Sequence, residues 1–142
     1  MKNSDKMKVF ITGASSGIGQ ALCYEYATQG AILGLVARRK DPLLLLKKKL
    51  SSETAVYVAD VRDREAICKA AQDFIDRYGA PDIVISSAGV SSGTLTERES
   101  DMDTFQAVLD INLVGMMNTF QPFILPMKKN KHGSLVGISS VA

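Results

Sequence analysis

The turn Thr12-Gly13-Ala14-Ser15-Ser16-Gly17-Ile18-Gly19 constrains this chain more than any other feature. Residues 8–11 before it read as a short apolar strand. After it, Ile18, Ala21, Leu22 and Tyr26 fall on neighbouring faces of a helix over about 18–29, with Gly30 placed to end it in a left-handed turn. A strand that passes through glycines straight into a helix is the first half of a βαβ unit. In that setting Gly13 permits the tight turn, Gly17 lets backbone approach a pyrophosphate, and Gly19 lets the helix close on the sheet. The N–H groups and positive dipole end of the helix start point to the same place, beside Ser15, Ser16 and Ile18. The competing reading is a glycine-rich turn that holds nothing.

The rest of the chain repeats this rhythm. Residues 31–37 are apolar on both faces, as in a strand covered on two sides. Asp41-Pro42 reads as a helix cap followed by proline at the first helical position. A third strand over 55–58 ends at Ala59-Asp60-Val61. Ile67, Ala70, Ala71, Phe74, Ile75 and Tyr78 then keep strict helical spacing until Gly79 and Pro81 stop it. A fourth strand, 83–85, leads to Ser86-Ser87-Ala88-Gly89. A long helix is expected over 104–127, kinked or frayed at its end by Pro122 and Pro126, and a last strand over 135–138. Alternating strands and helices predict a doubly wound parallel α/β sheet, with 1–142 as one dinucleotide-binding domain. An all-apolar final strand with nothing after it to cover it suggests the N-terminal part of a longer chain.

Composition narrows the functions. At 142 residues, 46% hydrophobic and 23% charged, the profile is that of a globular protein with one core. No apolar run nears the ~18 residues of a membrane span, and the charged start has no apolar stretch of the kind that secretory signals carry. Cys23 and Cys68 are too few for a disulfide framework or a four-cysteine zinc site, and His132 is a lone histidine, so no metal site is expected. These features point to a reducing, cytoplasmic setting. A net charge of +2 gives no reason to expect nucleic acid, and Lys47 to Lys49 read as a solvated helix face.

The spacing of the glycine loop, G-x-x-x-G-x-G, resembles the cofactor motif of the short-chain dehydrogenase/reductase family. The resemblance runs through the chain in order, with Asp60-Val61, Ser86-Ser87-Ala88-Gly89, Asn112 within Asp110-Ile111-Asn112-Leu113, and Ser139-Ser140. It implies a Rossmann-type sheet of order 3-2-1-4-5 and hydride transfer between a nicotinamide cofactor and a small-molecule carbonyl or secondary alcohol. It implies that Asp60 contacts the adenine amino group and that Asn112 holds a water in a proton relay. It implies that Ser140 orients the substrate carbonyl, and that copies can pair through helix 104–127. The family's Tyr-x-x-x-Lys pair would fall beyond Ala142, so residues 1–142 alone are expected to be inactive. A sensor or scaffold that binds a dinucleotide without catalysis is the alternative.

Two details bear on the cofactor. Serines stand where the family usually has two asparagines, and Ser87, being shorter, can do only part of the strand tying that the second asparagine does. The family's NAD users place an acid at the end of the second strand, whereas here Ala37 is followed by Arg38, Arg39 and Lys40. A guanidinium such as Arg38 would grip a ribose 2′-phosphate that an acid would repel, which favours NADP(H). Each residue also has a plainer reading. Asn112 could be satisfied by nearby backbone, Ser140 could end a strand, Asp60 could cap the next helix, and the basic triplet could be a solvated turn.

Overall fold

A computed structural model describes residues 6–95 and 97–140; the charged start (1–5) lies outside the described residues. Strands β1 (Lys8–Thr12), β2 (Ile32–Ala37), β3 (Thr54–Val58), β4 (Ile83–Ser86) and β5 (Ser134–Gly137) form one parallel sheet. Its order is β3-β2-β1-β4-β5, as the alternating pattern and the resemblance led us to expect. The helices are α1 (Gly17–Thr28), α2 (Lys40–Lys49), α3 (Arg64–Tyr78), α4 (Met102–Leu109) and α5 (Gly115–Asn130).

Successive side chains of a strand point to opposite faces, and the buried residues sort accordingly. Val9, Ile11, Leu33, Leu35 and Ile85 join Cys23 and Ala27 of α1 and Leu43 and Leu46 of α2 in one layer. Phe10, Ile32, Val36 and Val84 join Ile67, Ala71 and Phe74 of α3 and Phe123 and Met127 of α5 in the other. Phe10 is the hub of the second layer, 4.8 Å from the Phe123 ring centre and 5.5 Å, edge-on, from Phe74. Helix α1 ends as its sequence suggests. Gly30, at φ 75°, and Ala31 donate to the carbonyls of Ala27 and Tyr26, at 3.0 and 3.1 Å.

The strands and α1 agree with the sequence reading to within one residue at each end, but two helices differ by two residues or more. Helix α2 starts at Lys40 after Arg39, which makes Asp41 and Pro42 its second and third residues rather than its cap and first residue. The first turn of any helix has no intrahelical use for its N–H groups, so proline is tolerated there too. The expected helix over 104–127 is in fact longer and interrupted. It begins at Met102 after a 3₁₀ turn (Glu99–Asp101), passes through a π-helical turn (Asp110–Val114) and runs past both prolines to Asn130. The chain then turns at Lys131 in the left-handed conformation, φ 52°.

Gly34 shows how tight the aromatic layer is. A Cβ there would stand 2.6 Å from Phe10 Cδ2 and 2.7 Å from Phe74 Cδ2. Gly34→Ala is therefore expected to destabilise the fold by about 1–3 kcal/mol, read as a lower denaturation midpoint at unchanged m-value.

Candidate nucleotide site

Three backbones converge at the C-terminal ends of β1 and β4, where the strand order reverses. Gly13 has φ 70°, and a Cβ on it would lie 2.6 Å from the Ala88 nitrogen. A Cβ on Gly19 would strike the Gly13 carbonyl oxygen. Gly17 also has a positive φ, 56°, but a Cβ there would meet nothing within 4 Å. Gly13 and Gly19 are thus needed for packing, whereas Gly17 is needed for backbone conformation and leaves open space in front of it. The loop is tied down by the Ala14 N–H to the Val36 carbonyl, 3.1 Å, and by the Ser87 N–H to the Thr12 carbonyl, 3.3 Å. Ser16 stands at the capping position of α1 without making a side-chain cap. The N–H groups of that first turn therefore keep no partner within the helix.

A cavity of about 340 Å³ opens in front of this turn. Its walls include Gly13, Ser15, Ser16, Gly17 and Ile18, then Arg38 and Arg39, Asp60 and Val61, and Ser87, Ala88 and Gly89. Every residue that the sequence suggested for cofactor binding lines it except Gly19, which packs behind. Val36, Ala37, Ala59, Val90 and Ile111 complete the wall and were not foreseen as contacts.

Asp60 does not cap the following helix; Asp63 does, accepting from the Ala66 N–H at 3.0 Å. Instead, Arg62 grips Asp60 with a two-pronged contact, Nη2 to Oδ2 at 2.7 Å and Nε to Oδ1 at 3.1 Å. The Arg62 N–H adds a bond to Oδ1 at 2.9 Å. These bonds to Arg62 hold the Asp60 carboxyl below its ordinary range, and the Arg38 guanidinium contributes further. Next to it, Val61 packs so closely on α5 that a Cβ on Gly115 would be 2.6 Å from its Cγ2. Asn118 Nδ2 donates to the Val61 carbonyl at 2.9 Å. Neither Arg62 nor Asn118 was singled out in the sequence. Arg62, two residues from Asp60, could have been; an asparagine inside a helix carries no such signal.

Asn112 lies in the π turn, and its amide pairs with one residue of the loop after β4. The Val90 N–H donates to Oδ1 and Nδ2 donates to the Val90 carbonyl, both at 2.8 Å. The side chain is thus satisfied by backbone and holds the cavity wall from behind. Ser140 follows β5 at the sheet edge, exposed and outside the cavity wall. Among the described residues no hydrogen bond from the Ser87 hydroxyl ties strands together, and the buried Thr12 hydroxyl has no partner. Cys23 is buried, donates to the Gly19 carbonyl at 3.0 Å and has its thiol pKa pushed up to about 12 by burial, as a packing residue should. His132 sits 3.3 Å from Asp82 on the surface. Among the described residues there is no cluster of three or more His, Cys, Asp or Glu suited to a metal, and no helix is long and apolar enough to cross a membrane.

A glycine-rich turn and an uncapped helix start at the switch point of a doubly wound sheet define a Rossmann-type fold. Comparison with known proteins narrows the class. The short chain dehydrogenase family matches residues 7–142. The 11-beta-hydroxysteroid dehydrogenase 1A of Arabidopsis thaliana is 38% identical over 94% of this chain and 39% of its own length. An NADPH-dependent pterin aldehyde reductase from the same plant is 34% identical over 93% of this chain and 55% of its own. A 3-oxoacyl-[acyl-carrier protein] reductase from Brucella melitensis, solved with bound NAD, superposes with a TM-score of 0.83. It is 28% identical, with 98% of this chain and 55% of that one covered. This chain belongs to the short-chain dehydrogenase family of oxidoreductases, and it spans about half or less of the length of these relatives.

The Asn112 pairing generates a test that is separate from chemistry. Asn112→Ala removes both bonds to Val90, and the Val90 amide should then exchange with solvent at least tenfold faster, at a cost of about 1 kcal/mol in stability. Native-state hydrogen exchange reads both; unchanged protection would show that the pairing does not hold the loop.

Proposed function

We propose that residues 1–142 form the dinucleotide-binding part of an NADP(H)-dependent short-chain dehydrogenase/reductase. Its reaction is hydride transfer between the nicotinamide and a small-molecule carbonyl or secondary alcohol. A bound dinucleotide would supply the redox chemistry, while the protein holds and orients it. The residues suit such a group. The first turn of α1 offers unpaired N–H donors for a pyrophosphate, and Gly17 leaves the approach clear. Asp60 and Val61 would face the adenine, Ser87, Ala88 and Gly89 the nicotinamide side, and Ser15, Arg38 and Arg39 the adenosine ribose. In this reading Asn112 positions the wall through Val90, and Ser140 orients the substrate oxygen. The free thiols of Cys23 and Cys68 suit a reducing cytoplasm. Exposed apolar side chains on α4 and α5 (Met102, Phe105, Met117 and Leu125) support pairing with a second copy through these helices.

One observation carries the choice of NADP(H). The second strand ends in Ala37, with Arg38 and Arg39 on the cavity wall and no acid at that strand end. Similar proteins include both an NADPH-dependent reductase and a reductase solved with NAD, so the preference rests on this chain's own residues. Binding titrations should show NADPH ahead of NADH. Arg38→Ala should weaken NADPH by roughly tenfold to a hundredfold and leave NADH nearly unchanged. Equal affinities in the unaltered protein would refute the assignment.

Residues 1–142 by themselves are expected to bind cofactor without turning over ketones or aldehydes. No tyrosine among them is placed to donate the proton near Ser140. Tyr24 and Tyr26 lie on α1, and Tyr78 ends α3. Tyr57 is on β3, at the opposite edge of the sheet from β5, and its phenol is pushed upward by burial and by its bond to Asp73. Loss of general acid catalysis lowers rates by about 100- to 10,000-fold. Steady-state NADPH oxidation with a ketone panel measures it, and robust turnover would place the proton donor within these residues.

A further inference from the structure

Arg62 is bonded to Asp60 of the cavity wall without itself lining the cavity, and nothing in the proposed cofactor contacts uses it. Its fork on Asp60 occupies both carboxylate oxygens, at 2.7 Å and 3.1 Å, and its backbone N–H takes a further site on Oδ1. A carboxylate offers about four acceptor positions, so Asp60 is nearly saturated by this one neighbour. Asp60 shares the cavity wall with Arg38 and Arg39. A carboxylate left unpaired there would do two things. It would repel a phosphate dianion brought into the cavity, and it would draw the Arg38 guanidinium away from that phosphate. Arg38 already lies near enough to favour the charged carboxylate.

We infer that Arg62 is a specificity-determining residue, which by pairing with Asp60, the one acidic side chain among the described residues of the cavity wall, keeps it from cancelling the arginines that would receive a 2′-phosphate. The inference rests on the NADP(H) reading above and deepens it. Arg62 makes no contact with the nucleotide in this account; it acts through Asp60 and is a positioning residue. Its planar fork matches both oxygens, which a lysine ammonium cannot do, and the nearby charge of Asp110 also favours its charged form. A residue that merely braced the loop would affect phosphorylated and unphosphorylated dinucleotides alike, whereas charge pairing affects the ratio.

The test measures dissociation constants for NADPH and NADH by equilibrium titration at low and high salt. The proteins are the unaltered chain, Arg62→Gln, Arg62→Lys, Asp60→Asn and the Arg62→Gln/Asp60→Asn double variant. Arg62→Gln should reduce the NADPH-to-NADH preference by about five- to tenfold at low salt, with a smaller reduction at high salt. Arg62→Lys should keep most of the preference, because the charge remains. The double variant should recover it, since the carboxylate that Arg62 neutralises is gone. A ratio unchanged in Arg62→Gln, or an equal loss for both dinucleotides, overturns the inference while leaving the NADP(H) assignment standing. No preference for NADPH in the unaltered chain overturns both.

Discussion

The close approach of three backbones at Gly13 is the constraint from which the rest of the site follows. The loop after β1, the start of α1 and the loop after β4 come within a distance at which no side chain fits, and Gly13 and Gly19 are the residues that permit it. Because β1 and β4 pair directly, with Thr12 opposite Ser86, both loops leave the sheet at the same level. Helix α1 must then begin with its N–H groups facing the gap between them. The cavity is the space left over where the chain departs from β1 on one side and β4 on the other, which is where open α/β sheets hold their ligands.

The remaining wall is supported from α4 and α5. The π turn at 110–114 adds a residue to the helix there and carries Asn112, whose amide pairs with both backbone groups of Val90. One helical segment later, Gly115 admits Val61 and Asn118 holds its carbonyl. The loops after β3 and β4 are thus both fastened to the same helical region. Below them, the edge-on and tilted rings of Phe10, Phe74 and Phe123 anchor α3 and α5 to the sheet. The rigidity of the site is inherited from that aromatic layer.

Charge at the cavity edge is arranged as a neutral pair beside exposed cations. Asp60 and Arg62 form one unit, and Arg38 and Arg39 stand exposed next to it. Exposed pairs of this kind contribute little to stability. Their consequence lies in the field they present to a charged ligand, which is a matter of sign and position rather than of strength.

Much of this was legible in the sequence because it depends on short-range pattern. Glycine spacing between a strand and a helix, alternation of apolar runs, and landmark residues in order determined the doubly wound sheet and most of the cavity-lining residues, but not Val36, Ala37, Ala59, Val90 or Ile111. Where the expectation missed, the cause was local energetics that several arrangements satisfy equally: Pro42 suits any position of a first helical turn, and a π turn leaves no mark in apolar spacing. Tertiary structure alone decided the rest. That Asn112 meets Val90, that Asn118 meets Val61, and that Gly34 exists to admit Phe10 and Phe74 could not be read from the chain. Each joins residues more than 20 positions apart, and such contacts are chosen by how whole layers pack, not by what neighbouring residues prefer.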